Sequence, residues 1–308
     1  MQQLQQLNEF SSLELLAKQV VEGFMIGLHK SPFHGFSVEF AEHRIYNQGE
    51  STKNIDWKLY GRTDRFYTKK YEEETNLRCQ ILIDCSKSMY FPIDSPETKI
   101  RHAIYAAASV IELLRRQRDA FGVTLFDKDI LLHTASKASP AHQRFVYAEI
   151  EKYLKAFTPG EQTDTHLSAI MHEVAEIIPR RSMVVVFTDF WSAKEDADAF
   201  YTALNHLKHA KHEVIVFHVF SRKYEQSFGL DNRPYQLIDM ESGESIRILP
   251  NDYRNNYIQN VEAHMNEIKM RCGNIGVDFT SVAIEDDYHQ IMIQYLIKRQ
   301  KLMQARRG

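Results

Sequence analysis

The sequence predicts an α/β protein built on a doubly wound, mostly parallel sheet with one antiparallel strand, plus a small appended amino-terminal region. Three observations predict it. Apolar runs over residues 80–84, 183–189 and 214–219 lack polar alternation, as strands covered on both faces do. Helical stripes alternate with these runs, which is the pattern of parallel crossover connections. Residues 122–126 and 130–133, joined only by Asp127-Lys128-Asp129, read as a tight hairpin, so one strand runs backwards.

The elements follow in order. Residues 11–28 read as a helix with Ser11 and Glu14 as a capping box and a stripe of Leu13, Leu16, Val20, Phe24 and Leu28 that needs a partner surface. Ser31-Pro32 and Gly35 break it, and a polar loop with Gly49 leads to an Asp56-Trp57 turn. Aromatic and charged residues over 65–74 suggest an extended segment feeding the first sheet strand. Residues 1–77 are thus expected to form a helix and arm, or a small subdomain, and residues 78–308 the main domain.

In the main domain, strand 80–84 precedes a helix over 98–116 with Ile100, Ile104, Ala107, Ile111 and Leu114 on one face. The hairpin follows, then helices near 141–155 and up to 178, the strand ending on Asp189, a helix ending near His212 and the strand 214–219. A second hairpin over 235–249 turns at Glu241-Ser242-Gly243-Glu244. A helix over 255–270, a strand over 277–283 and a helix near 288–301 close the chain. Lys298, Arg299, Lys301, Arg306 and Arg307 read as a solvated helix end.

Composition narrows the function classes. With 38 basic and 41 acidic residues, net charge −3 and 44% hydrophobic residues, neither nucleic acid nor membrane is advertised. No run of eighteen apolar residues occurs, and MQQLQQLNEF lacks the basic-then-apolar layout of a secretory signal, so membrane insertion is not expected and a cytoplasmic location is. Cys79, Cys85 and Cys272 are odd in number and widely spaced, supporting neither a disulfide framework nor a cysteine zinc site. His206, His209 and His212 recur every three residues. A third ligand at that spacing swings round the helix axis, and a helix end favours histidine in any case.

The chemistry concentrates where the first long apolar strand stops. ILIDCSKSM places Asp84, Ser86 and Ser88 on alternate residues of a turn, three hard oxygen donors suited to Mg²⁺ or Mn²⁺. MVVVFTDFW ends a second apolar strand on Asp189, and PGEQTDTHLSAIM puts threonines in a polar loop before a helix. Parallel sheets bind ligands beyond the carboxyl ends of their strands, where Asp84 and Asp189 both lie.

This set resembles the metal-ion-dependent adhesion site (MIDAS) of von Willebrand factor A (VWA) domains. The resemblance implies Asp84, Ser86, Ser88, Thr165 and Asp189 around the ion, with Thr163 as the alternative to Thr165. Upstream, HKSPFHGFSVEFAEHRIYNQGE and NIDWKLYGRTDRFYTKKYEEET look like the bacterial family of uncharacterised VWA-type proteins encoded beside MoxR-type AAA+ ATPases. The family's usual acidic pair after the tyrosine reads Gly49-Glu50-Ser51 here, and Gly61-Arg62 stands for Ala-Arg. Asp56, Trp57 and Arg62 are candidates for a partner-binding patch, or for pinning the arm to the main domain. Cys85, inside the turn, is expected to point away from the ion as a packing residue.

Hydrolysis would need a second metal or a positioned base, and the sequence shows no Walker A loop, zinc-protease helix, nucleophile elbow or dinucleotide fingerprint. The expected function is therefore a non-enzymatic, Mg²⁺-dependent interaction module completed by a partner protein's carboxylate, and the family resemblance implies an adaptor working with a MoxR-type AAA+ ATPase in maturation or remodelling of client proteins. A metal-dependent hydrolase and a nucleic-acid-binding VWA protein are the alternatives.

Overall fold

The computed structural model describes residues 13–29, 43–45, 60–62, 67–69, 77–93, 95–154, 167–190, 197–240, 243–288 and 291–298, with side chains of the first segment described to residue 24. The chain runs α1 (Leu13–His29), β1 (His43–Ile45), β2 (Tyr67–Lys69), β3 (Arg78–Asp84), α2 (Lys99–Arg116), β4 (Ala120–Phe126) and β5 (Ile130–His133). It continues through α3 (Pro140–Glu151), α4 (Leu167–Ile177), β6 (Met183–Thr188), α5 (Ala197–His209) and β7 (Glu213–Phe220). The last elements are β8 (Tyr235–Ile238), β9 (Ser245–Ile248), α6 (Pro250–Ile275), β10 (Asp278–Ala283) and a helix over residues 291–298.

A six-stranded sheet of order β10-β7-β6-β3-β4-β5 forms the centre. Every pairing is parallel except β4 with β5, the hairpin expected from Asp127-Lys128-Asp129. Because side chains alternate along each strand, the sheet feeds two cores. Ile81, Ile83, Val185, Phe187, Ile215 and Phe217 face one side, where α2 and α3 pack. Leu82, Val184, Val186, Val214 and Val216 face the other, against α4, α5 and α6. Burial on both faces is why these strands carry no polar alternation.

Helix α1 supplies the partner its own stripe requires. Leu13, Ala17, Val21 and Phe24 join the core that contains α2, and the Leu13 amide donates to Glu151 Oε1 at 2.7 Å. Ser11 lies outside the described residues, and Glu14 pairs with Lys18 at 2.8 Å. Within the segment expected to be extended over 65–74, Tyr67–Lys69 form β2, which pairs with β1 as a separate antiparallel ribbon, and residues 70–76 lie outside the described residues.

Two expectations need correction. The helix expected over 255–270 runs from Pro250 to Ile275, with proline in its first turn and Gly276 closing it at φ 76°. Its buried residues are Pro250, Ile268 and Cys272, so a weak apolar stripe concealed its length. Lys298 is not a solvated charge. It is buried and pairs with Glu213 at 2.8 Å and Asp278 at 3.0 Å, tying the last helix to β7 and β10, while the other four basic residues of that tail lie outside the described residues. Among the described residues no helix is long and apolar enough to cross a membrane.

Candidate metal centre

The Cys85 amide still donates to Phe126 O on neighbouring β4 at 2.7 Å, and β3 ends there because the chain then turns into a short 3₁₀ segment, Lys87–Tyr90. In that turn the Ser86 amide donates to Asp84 Oδ1 at 2.9 Å, and the Ser86 and Ser88 hydroxyl oxygens lie 3.1 Å apart. Both serines and Asp84 are buried. Cys85 is also buried, with Sγ directed to Ile83 O at 3.6 Å, and burial first, then the charge of Asp84, pushes its thiol well up. It is a packing residue, as expected.

Adjacent β6 delivers the second carboxylate. Thr188 Oγ1 donates to Asp84 Oδ2 at 2.6 Å, so the ends of β3 and β6 are joined side chain to side chain. Asp189 follows, buried, and the next residue, Phe190, sits at φ 60° in the left-handed region that non-glycine residues seldom adopt. Its ring packs edge-on against Phe200 at 4.9 Å and Phe279 at 5.5 Å, which holds the strained turn in place. Burial and the charge of Asp189 push the Asp84 carboxyl up to about 7, against the lowering effect of Thr188 and Ser86.

A cation stands beside this pair. Lys99, the first residue of α2, places Nζ 2.7 Å from Asp189 Oδ2 and 2.7 Å from Glu225 Oε1. Burial alone would lower the Lys99 ammonium, but the two carboxylates more than reverse that. Glu225 belongs to a single π-helical turn, Arg222–Gln226, after β7, and its other oxygen accepts from the Ser221 amide at 2.6 Å.

The structure thus brings together Asp84, Ser86, Ser88 and Asp189. Thr165, its alternative Thr163, Asp56 and Trp57 lie outside the described residues; Arg62 is described and exposed on a short helical turn. Sequence reasoning missed Thr188, Lys99 and Glu225. Thr188 directly precedes the predicted Asp189, a signal that was available, whereas Lys99 and Glu225 join elements 126 residues apart.

The donor set suits a hard divalent ion. Two buried carboxylates with mutual repulsion and two converging hydroxyls are oxygen ligands that gain from a shared positive charge. Among the described residues no group of three or more His, Cys, Asp or Glu side chains is arranged for a metal, so hydroxyls would have to complete the shell. Among the described residues, the histidines near the end of α5 have these neighbours. His206 Nδ1 lies 3.0 Å from His172 Nδ1 and its Nε2 3.1 Å from Glu176, while buried His212, in the turn between α5 and β7, accepts from the Ser182 amide at 3.2 Å.

A doubly wound, mostly parallel sheet with one reversed strand, and paired acids beyond its strand ends, defines a doubly wound α/β protein. The chain belongs to the family described as "Protein of unknown function DUF58", whose model matches residues 42–267. It is 23% identical over 298 residues to "Uncharacterized protein Rv1480" of Mycobacterium tuberculosis and equally to "Uncharacterized protein Mb1516" of Mycobacterium bovis, covering 94% of this chain and 88% of theirs. Among solved structures it is similar to the conserved hypothetical protein BatB from Bacteroides thetaiotaomicron, at 13% identity and TM-score 0.43, over 74% of this chain and 99% of that one. It is also similar to the SpRpn10 VWA domain, at 10% identity and TM-score 0.38, over 71% of this chain and 94% of that one.

Proposed function

We propose that the protein is a non-enzymatic, Mg²⁺-dependent protein-interaction module, an adaptor for a MoxR-type AAA+ ATPase in maturation or remodelling of client proteins. The observation that carries this reading is the buried Asp84–Asp189 pair facing two serine hydroxyls beyond the carboxyl ends of β3 and β6. When bound there, Mg²⁺ or Mn²⁺ would supply an oxygen-seeking positive charge able to accept a further carboxylate oxygen from outside the chain.

Asp84 anchors charge and is held in place by Thr188 and the Ser86 amide. Ser86 and Ser88 present hydroxyl oxygens, and Asp189 adds the second acid, with Thr165 from the preceding loop assigned by family resemblance. A partner's Glu or Asp is the complementary group, since acid would otherwise meet acid. The ATPase partner rests on the family resemblance of the amino-terminal segments, with Asp56, Trp57 and Arg62 as a second patch.

Calorimetric titration of Mg²⁺ and Mn²⁺ into wild type and Asp84→Ala, with and without the ATPase, tests this. Metal binding that tightens with the partner and disappears in a folded Asp84→Ala protein is expected. Partner binding that survives both chelation and the substitution would refute the bridging role.

A further inference from the structure

Lys99 is among the largest fully buried side chains, and its charge is spent entirely inside the site. Its ammonium binds the same Asp189 carboxylate that the divalent ion needs, at Oδ2, and lies 5.7 Å from the Phe91 ring centroid. A buried ammonium already compensates one of two buried acids, which lets the fold tolerate them without a metal. It also opposes a second cation nearby, because like charges repel strongly where water is excluded.

Glu225 gives the ammonium a second seat. It is 22% exposed where Asp189 is 3% exposed, and it stands on the turn between β7 and the β8–β9 hairpin, held there by the Ser221 amide and by Tyr257, whose hydroxyl donates to Glu225 O at 2.9 Å. Lys99 bridges the two acids at equal distances, so a small swing of its four-carbon stem moves the charge from one to the other.

We infer that Lys99 is a tethered internal cation that competes with the divalent ion for Asp189, and that Glu225 is the seat to which its ammonium retreats when the ion binds. The pair sets the affinity of the site and couples ion entry to the turn that carries the β8–β9 hairpin. This rests on the reading of Asp84, Ser86, Ser88 and Asp189 as a divalent-cation site.

The test is calorimetric titration of the full chain with MnCl₂ and MgCl₂ alone, for wild type, Lys99→Met, Glu225→Gln, Glu285→Gln and Asp84→Asn. Lys99→Met should tighten metal binding by about tenfold or more, and its thermal midpoint should fall in chelator and recover with Mn²⁺ by more than wild type gains. Glu225→Gln removes the retreat and should weaken binding by about three- to tenfold. Glu285 accepts from Ser221 Oγ at 3.0 Å and from the Arg222 and Lys223 amides at 3.0 and 3.2 Å without touching Lys99. Glu285→Gln keeps a carbonyl acceptor for that turn while removing the charge, and should change Kd less than about twofold.

Equal affinities in wild type, Lys99→Met and Glu225→Gln, with loss only in Asp84→Asn, overturn the role of the lysine and leave the metal site standing. A Glu285→Gln effect as large as that of Glu225→Gln overturns the seat and reduces it to a general field. Absence of metal binding in every protein overturns both readings. Should Lys99→Met fail to fold, Glu225→Gln decides: unchanged or tighter binding refutes the competition.

Discussion

Thr188 and Asp84 are joined across neighbouring strands by a hydroxyl donating to Oδ2 at 2.6 Å, and the same Thr188 oxygen accepts from the Phe190 amide at 3.2 Å. One threonine therefore steadies the first acid and the strained turn that aims the second. Thr188→Val keeps the β-branched shape and removes both bonds. It is expected to cost about 2 kcal/mol in urea unfolding, and less than half of that in an Asp84→Asn background, where the acceptor no longer carries charge.

His102 predicts a pH dependence. Its ring is buried against Tyr288 at 4.8 Å, and Nε2 has no hydrogen-bond partner among the described residues. Burial lowers its imidazole from 6.5 to about 4, against the opposing charges of Asp286 and Glu285. Since the folded value is depressed, the stability it carries is present above about pH 6.5 and is lost as pH falls toward 4 and below. The loss is on the order of 3 kcal/mol. His102→Phe should flatten the unfolding free energy across that window, as chemical denaturation at a series of pH values would reveal.

Gly122, within β4, is required by close approach. A Cβ there would run into the backbone oxygen of Thr134 and come within 2.5 Å of Gln80 Oε1, whose amide is held by Thr124 and Thr134. Gly122→Ala should destabilise by about 3 kcal/mol. Shortening Gln80 to alanine in the same chain should not rescue it, because the Thr134 obstacle is backbone; a restored melting temperature would contradict this.

Phe24 tests how firmly α1 belongs to the core. The side chain is 1% exposed, and truncation to alanine should cost about 3–5 kcal/mol. A single cooperative transition is expected, followed by far-ultraviolet circular dichroism. A separate early step would mean that α1 melts on its own.

Much of the sheet and part of the site were legible in the sequence for a shared reason. Continuous apolar runs mark doubly covered strands, and Asp84 and Asp189 interrupt those runs at the strand ends where ligands collect. Lys99 was illegible because a lysine at the start of a helix reads as a solvated end, and nothing local shows that it reaches Asp189, ninety residues away. Lys298 hid the same way, as one basic residue in a basic tail. The start of α6 was written in Leu249-Pro250, since proline suits a first turn, but a largely exposed helix offers no stripe to draw the eye that far.

The burial of α2 has a consequence for how this protein can be reused. Fourteen of its residues are buried, from Lys99 through Leu114, because the sheet covers one side and α1 and α3 cover much of the rest. A sheet-and-helix cassette excised at β3 would leave behind the lid of its own central helix. Recombination that trades this fold between proteins should therefore carry α1 with it, and fusions that cut between α1 and β3 should give sticky, poorly folding products.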